Sequence, residues 1–478
     1  MHDLGVLLAA ELNLDEANSL FVEASALSIG IYPDTHSFRL TLNCNHGRCL
    51  QRLGRLEEAE QMVRPVKTKA GERKENRAIA CLVLGEIQYK WRKWKEAGSE
   101  SQEAVDLFHQ IYPPGHPYVC EPLTILTSAL QHPNRNAEAE PHYRELLAGR
   151  ARHNGPEHPN TLWVQNRLAV NLEEIGKNDE AGELYRKTWE ARKTVHGPNH
   201  NLTLESEANL GGFLRRQRHL AEAEPLLKHS WEQRAIAEGC CDLEALNSCY
   251  QYALVFENRG RLDEAELLFR HVLAARRFAL TNNDSQTLLT INNLAVFLQR
   301  RGVTDEAEEL YREVIAIREK EFGEGDLGLA TTRSNLARLL MNQGKHSNAV
   351  FLFKAVCNSE RARQPMIDDR LAKALIELAG AVTDAGDPIG AEPFAQEALG
   401  ILTRTRPKSQ TRFETAGLLG SILMKQERLA EAEPLLVESA RGLAELKDCP
   451  PRIIQEARVR LDRLCESWDP PSAMKHCK

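Results

Sequence analysis

The sequence predicts an all-α chain, a right-handed α-solenoid of tandem helical hairpins. Three observations carry that prediction: a 42-residue ruler running along the chain, apolar columns locked to it at helical spacing, and a composition unsuited to one large core. At 478 residues the chain exceeds the size at which a single core stops growing, so it forms several domains or extends as a repeat. Charged residues make up 27% and aromatic ones 6%, which suits long amphipathic helices.

Registering the chain on itself finds the ruler. Its anchor is a small residue in an (A/D)EA(E) cluster: Ala17, Ala59, Ala97, Ala139, Ala181, Ala223, Ala265, Ala307, Ala349, Ala391 and Ala432, with eight of the ten gaps equal to 42 residues and the others 38 and 41. Thirteen residues before the anchor stand Leu4, Leu84, Leu126, Leu168, Leu210, Leu294, Leu336, Leu378 and Leu419. A small side chain follows directly, as in Ala169, Gly211 and Ala253, and an apolar one four after the leucine, as in Leu172, Leu214 and Phe256. Gly54, Gly176, Gly260, Gly302, Gly344 and Gly386 stand five before the anchor. Apolar spacing of this kind closed by glycine predicts a first helix, A, and its stop.

A second helix, B, is predicted by Leu184, Leu226, Leu268 and Leu310 three after the anchor, with Tyr185, Phe269, Tyr311 and Phe353 at the next position. Asp179, Asp263 and Asp305 are placed as its N-caps. Pro141, Pro225, Pro393 and Pro434 fall near enough to its start to cost little. No hairpin of this kind buries its apolar face alone, so stability comes from stacking on neighbours and the ends need caps. We therefore expect residues 1–446 to form about eleven repeats. Residues 447–478 form a C-terminal cap and tail, with an apolar stripe at Ile454, Ala457, Leu461 and Leu464 in the helix expected over Pro451–Trp468. The chain begins almost on helix A of the first repeat, which leaves no room for an effector domain before it.

These columns resemble the tetratricopeptide repeat, and the 42-residue period resembles the subtype of kinesin light chains. The standard period is 34, so eight further residues lengthen each helix by roughly one turn. The match is fullest over Thr290 to Gly323, TINNLAVFLQRRGVTDEAEELYREVIAIREKEFG, and continues over Ala330 to Phe353; the linkers GPEHPNTL and GPNHNLTL are similar to that subtype. The resemblance covers nearly the whole chain and departs from the pattern in the third repeat, which is short and carries KWRKWK, and in the last two, where helix A lacks asparagine. It implies a tetratricopeptide-like superhelix that binds proteins. No heptad segment of the kind that joins light chains to a motor is seen, so a motor-subunit role is not expected.

Composition and motifs exclude several functions. A net charge of −7 gives no footprint for a phosphate backbone, so no nucleic-acid partner is expected. No apolar run reaches the roughly 20 residues that span a bilayer, and no membrane partner is expected. The eleven cysteines show no CxxC pair, and Cys81 and Cys249 fall at apolar helix positions; a reduced, cytoplasmic protein follows. His116, His158 and His200 are 42 apart, hence about 10 Å apart between stacked helices, too far to share a metal; they are loop punctuation before helix A. Trp94 of KWRKWK occupies the column of Leu56, Leu220, Leu262 and Leu429 and is read as a core plug among solvated lysines. Phosphate-loop, nucleophile-elbow and zinc-type spacings are missing, so neither an enzyme nor a cofactor is expected.

What remains is the inner face of helix A, where positions 15, 11, 8 and 7 before the anchor lie off the packing columns. They include Asn166, Arg215, Arg216, Tyr250, Asn258, Asn292, Gln299, Arg300, Arg338 and Asn342. A carboxamide donates and accepts at once, so Asn166 and Asn292 suit the backbone of an extended peptide, a role helix A asparagines have in the families this resembles. The adjacent Asn209, Asn293 and Asn335 either share it or bond between hairpins; both readings stay open. Arg215, Arg216, Arg300 and Arg338 make the middle of this groove cationic, and an acidic or C-terminal-carboxylate peptide is the expected ligand. The function expected is a scaffold or adaptor for partner peptides. A solenoid that senses a peptide or metabolite, or an arm beside a separate catalytic chain, is the alternative.

Overall fold

A computed structural model describes every residue except 132–134, 240, 364–367, 448 and 468–478; Trp468, placed at the end of the capping helix, lies outside the described residues. The described residues are helices joined by tight turns, with no strand among them, and they form a helical-repeat solenoid. By contact the chain divides into two compact units, Met1–Arg259 and Gly260–Lys478.

The first unit holds α1 (His2–Ala10), α2 (Leu14–Ile29), α3 (Ser37–Arg52), α4 (Leu56–Lys69), α5 (Lys74–Lys90), α6 (Trp94–His109), α7 (Pro117–Gln131), α8 (Asn136–Asn154), α9 (Pro159–Glu174), α10 (Asn178–His196), α11 (Asn201–Arg216), α12 (Leu220–Glu238) and α13 (Leu243–Asn258). The second holds α14 (Leu262–Ala279), α15 (Ser285–Arg301), α16 (Thr304–Glu321), α17 (Leu327–Asn342), α18 (His346–Ala362), α19 (Asp368–Asp384), α20 (Pro388–Thr405), α21 (Gln410–Lys425), α22 (Leu429–Glu445) and α23 (Pro451–Ser467). Helix A of each repeat carries an odd number and helix B the next even one. A typical A helix, α5, packs on its own partner α6, on the B helix before it, α4, and on the neighbouring A helices α3 and α7.

The columns explain that packing. All eleven anchors are 0% exposed, because an alanine methyl is what lets the two backbones of a hairpin approach. The small residue twelve before the anchor does the same from the other side. A Cβ on Gly211 would lie 2.7 Å from Leu227 Cγ, and one on Gly420 2.7 Å from Leu436 Cγ. The aromatic column four after the anchor fills the interior, with Tyr143, Tyr185, Tyr311, Phe269 and Phe353 all buried. The leucine column thirteen before the anchor is buried from Leu84 to Leu419; Leu4, in the first repeat, is 50% exposed. It does not serve as a packing residue there.

Turn chemistry follows the ruler too. Gly54, Gly176, Gly260, Gly302, Gly344 and Gly386 all have positive φ, the left-handed conformation that ends a helix at least cost in glycine. Helix B starts differently from the sequence expectation. Its N-caps are Lys177, Arg261 and Val303, none with a side-chain cap bond, while Asp179, Asp263 and Asp305 lie inside the first turn. There the carboxylate meets the positive end of the helix dipole without capping it. Pro141, Pro225, Pro393 and Pro434 are also deeper than expected, each the sixth residue of its helix. The ring therefore removes a backbone bond instead of replacing an orphan donor.

Helix A is capped by a column the sequence reading took as punctuation. The imidazole Nδ1 atoms of His36, His116, His158 and His200 each accept from the backbone N–H two residues on, at 3.1 to 3.3 Å. Asp242, Asp284 and Asp326 do the same work in later repeats. Trp94 is half-buried at the start of α6 with its ring edge-on to Tyr89, so the plug is shared with Trp91, which packs on the neighbouring core cluster. Cys81 and Cys249 are buried free thiols. No helix among the described residues is long and apolar enough to cross a membrane.

Candidate functional site

The thirteen predicted groove residues fall on five A helices: α9, α11 and α13 in the first unit, α15 and α17 in the second. Helical period puts them off the packing columns, yet many of them already have partners. Asn166 and Asn292 are nearly buried, and each carboxamide oxygen accepts from the asparagine one repeat on. Asn209 Nδ2 donates to Asn166 Oδ1 at 3.4 Å, and Asn335 Nδ2 donates to Asn292 Oδ1 at 3.2 Å. These bonds tie neighbouring A helices together. Asn293 and Tyr250 are half-buried, and Asn258 Oδ1 accepts from Arg218 Nη1 at 3.0 Å.

In the first unit a recess of about 440 Å3 is lined by Glu173, Glu174, Glu205 and Glu244 together with Arg216 and Arg234, and Glu205 is also paired with Arg192 at 3.1 Å. Of the predicted residues it gathers Asn209 and Arg216. Arg216 is already committed: its Nε and Nη2 donate to the two oxygens of Glu173 at 2.5 and 2.8 Å, and Tyr185 Oη donates to the same carboxylate at 3.1 Å. Arg215 donates from Nε to Gln251 Oε1 at 3.1 Å, and burial, then the neighbouring Arg216 charge, lowers its pKa. The expectation that Arg215 and Arg216 make this stretch cationic is therefore corrected. The recess is acid-rich, and its one groove arginine is neutralised from the preceding A helix.

The second unit is built the other way. A recess of about 550 Å3 brings together Gln299, Arg300, Asn335, Arg338 and Asn342, with Tyr311 at its base and no carboxylate in its lining. Tyr311 Oη donates to Gln299 Oε1 at 2.9 Å and Arg338 Nη2 to Asn335 Oδ1 at 2.5 Å, so the polar groups are held in place beforehand. A second recess of about 250 Å3 shares Arg338 and adds Arg370 and Lys373 of α19. Its carboxylates are compensated: Glu360 is buried beside Arg363, and Glu377, whose pKa burial raises, lies 3.7 Å from Arg338.

Arg370 and Lys373 are not among the residues the sequence predicts for the groove, since they lie before the four inner-face positions of helix A. They stand 21 and 18 before Ala391, the columns occupied by Glu244 and Glu205 in the first unit. One pair of columns thus switches sign between the two recesses. Among the described residues the cluster of metal-ligand type is Cys81, Glu100 and Glu103. Lys67 Nζ lies 2.7 and 2.8 Å from the two carboxylates and Arg77 2.6 Å from Glu103, so two cations already supply the counter-charge.

With this geometry in hand, the comparisons with known proteins can be placed. The family model for the tetratricopeptide repeat matches residues 128–194, 160–234 and 284–359. No curated protein matches the sequence. Among solved structures, the apo form of the quorum sensor NprR from B. thuringiensis is similar at 14% identity, covering 75% of this chain and 97% of that one, with a TM-score of 0.55. The nearly identical TPR-like repeats assigned to a kinesin light chain of Podosopora anserina are similar at 23% identity over 42% of this chain and 97% of theirs, with a TM-score of 0.38. BtubC (BKLC) from P. vanneervenii is similar at 17% identity over 48% of this chain and 90% of its own, with a TM-score of 0.40.

Proposed function

The chain is a tetratricopeptide-repeat protein, and from that premise we propose that it is a non-enzymatic scaffold which holds extended segments of partner proteins against its A helices. The observation that carries this reading is the pair of open recesses on helix A faces, lined chiefly by carboxamides, arginines and carboxylates over a buried tyrosine. The amides and charges of these side chains suit a peptide backbone and its polar side chains. The acidic ligand is assigned to the second unit, whose recesses gather Arg300, Arg338, Arg370 and Lys373, with Arg338 shared with Glu377 at 3.7 Å. The fold shared with a quorum sensor admits a second reading of the same surface, in which a bound peptide or metabolite changes the pitch of the repeats.

Affinity capture from the protein's own cell extract tests this, using wild type and an Arg300→Glu/Arg338→Glu variant shown by circular dichroism to be folded. Specific partners retained by wild type and lost from the variant support the groove, and their binding should weaken as salt rises. The same partners on both proteins would remove the proposal. Compaction of the free protein by a small extract component, seen by X-ray scattering, would favour the sensing reading.

A further inference from the structure

We infer that the recess of about 250 Å3 lined by α17, α18 and α19 in the second unit is a subsite for a phosphate monoester which, resting on the groove reading above, is a phosphorylated serine or threonine of the partner segment. Two positions on α19 set it apart. Arg370 and Lys373 stand 21 and 18 before the anchor Ala391, and in no other repeat does either column hold a lysine or an arginine. The hairpins stack without a cation at these places everywhere else, so the pair is not there for the fold.

Charge in this recess is unbalanced. Glu360 is closed on Arg363, and Glu377 lies 3.7 Å from Arg338. Asp368 and Asp369, at the start of α19, are taken by Arg404 and Arg406. Among the described residues neither Arg370 nor Lys373 closes an ion pair. Both are exposed, and they stand three apart on one helix, a spacing at which like charges repel. With Glu360 neutralised, the cations Arg338, Arg370 and Lys373 share the single carboxylate of Glu377, which leaves an excess of two positive charges.

A phosphate monoester at neutral pH carries about two negative charges and offers three acceptor oxygens. It matches the excess, and its oxygens suit guanidinium forks and an ammonium together. A single carboxylate brings half that charge and leaves one cation unmatched. Ser334 adds a hydroxyl to the lining, a neutral donor. The volume lies below the roughly 300 Å3 at which pockets for drug-sized molecules begin, which suits one side chain of a longer ligand. Arg338 also lines the neighbouring recess, beside the carboxamides of Gln299, Asn335 and Asn342. A peptide backbone bonded to those amides therefore passes Arg338, and the next side chain along meets Arg370 and Lys373.

Fluorescence anisotropy of the whole chain with three degenerate peptide libraries, whose fixed central residue is phosphoserine, serine or glutamate, tests this. The phosphoserine library is expected to bind at least about tenfold more tightly than either of the others. Arg370→Ala/Lys373→Ala, at exposed positions that leave the helix content by circular dichroism unchanged, is expected to bring the three within about twofold of one another. Equal binding of the phosphoserine and glutamate libraries, both lost from Arg300→Glu/Arg338→Glu, would overturn the phosphate subsite and leave the groove standing. So would failure of every library on a protein that still captures extract partners through Arg300 and Arg338. A phosphoserine preference that survives Arg370→Ala/Lys373→Ala, or inorganic phosphate that displaces the library as effectively as unlabelled phosphopeptide, would also overturn it. Failure of the groove itself reads differently, as extract partners retained by Arg300→Glu/Arg338→Glu.

Discussion

Among the described residues, each turn from helix A to helix B places a residue in the left-handed region five before the anchor. Six repeats use glycine there; Leu12, Arg92, Arg218 and Glu427 adopt the same positive φ, between 59° and 66°. A side chain in that region costs about 1–2 kcal/mol. Glu427 is exposed, so Glu427→Gly is expected to stabilise the protein by about 1 kcal/mol, measured as a rise in the urea midpoint at constant slope; no rise would mean that the turn sets this conformation without strain. Single residues were the hardest feature to foresee. The HP histidines gave their spacing but not their role, although Asp242, Asp284 and Asp326 continue their column at 42-residue steps, and aspartate there is a capping signal. The buried arginines Arg192, Arg234, Arg276 and Arg318 also repeat at that step. Their charge gives no sign of burial in the sequence; in the structure the guanidinium groups donate to the starts of A helices, Arg192 Nη1 to Leu202 O of the next one at 2.8 Å and Arg234 Nη2 to Asn201 O of its own hairpin at 3.0 Å.

At the scale of helices the apolar columns were readable because close packing leaves few choices of residue, and the period therefore survives in the sequence. The same column can still differ in worth. Leu168 is 2% exposed and Leu4 50%, so Leu168→Ala is expected to cost about 2–5 kcal/mol through the cavity it leaves, and Leu4→Ala under about 0.5 kcal/mol as a surface change, both measured by chemical denaturation. Equal losses would show that the first hairpin is covered. The start of helix B was misread by two residues because aspartate favours both the cap and the first turn, for different reasons. Charge pairs between B helices were not read at all. Arg144–Glu180, Arg186–Glu222 and Arg270–Glu306 join residues 36 apart, a spacing visible only when two successive repeats are compared at once.

For the molecule as a whole, these pairs set how stability responds to acid. A hydrogen bond from Lys177, then one from Arg144, hold Glu140 below its ordinary 4.5, burial opposing them; Arg270 does the same for Glu306, and Arg312 with Lys345 for Glu308. A carboxylate with a depressed folded pKa contributes stability that is fully present above the unfolded value and is lost as pH falls through the folded one. The urea midpoint is therefore expected to drop below about pH 4.5, and Glu140→Gln to lose about 0.5 kcal/mol at neutral pH, since its partners are half exposed, while flattening the acid slope. An unchanged slope would assign the acid loss to other groups. The groove's charge was misjudged for the same reason as the ladder: Glu173, which neutralises Arg216, lies 43 residues away, in a different repeat. The buried arginines have one more consequence. Trypsin cuts after arginine, and the bonds following Arg192, Arg276 and Arg318, whose guanidinium groups reach the start of the next A helix, are shielded while that hairpin stays seated on them. Each of these repeats therefore carries its own gauge of fraying, and the order in which fragments emerge from limited digestion reads out which hairpin lifts first.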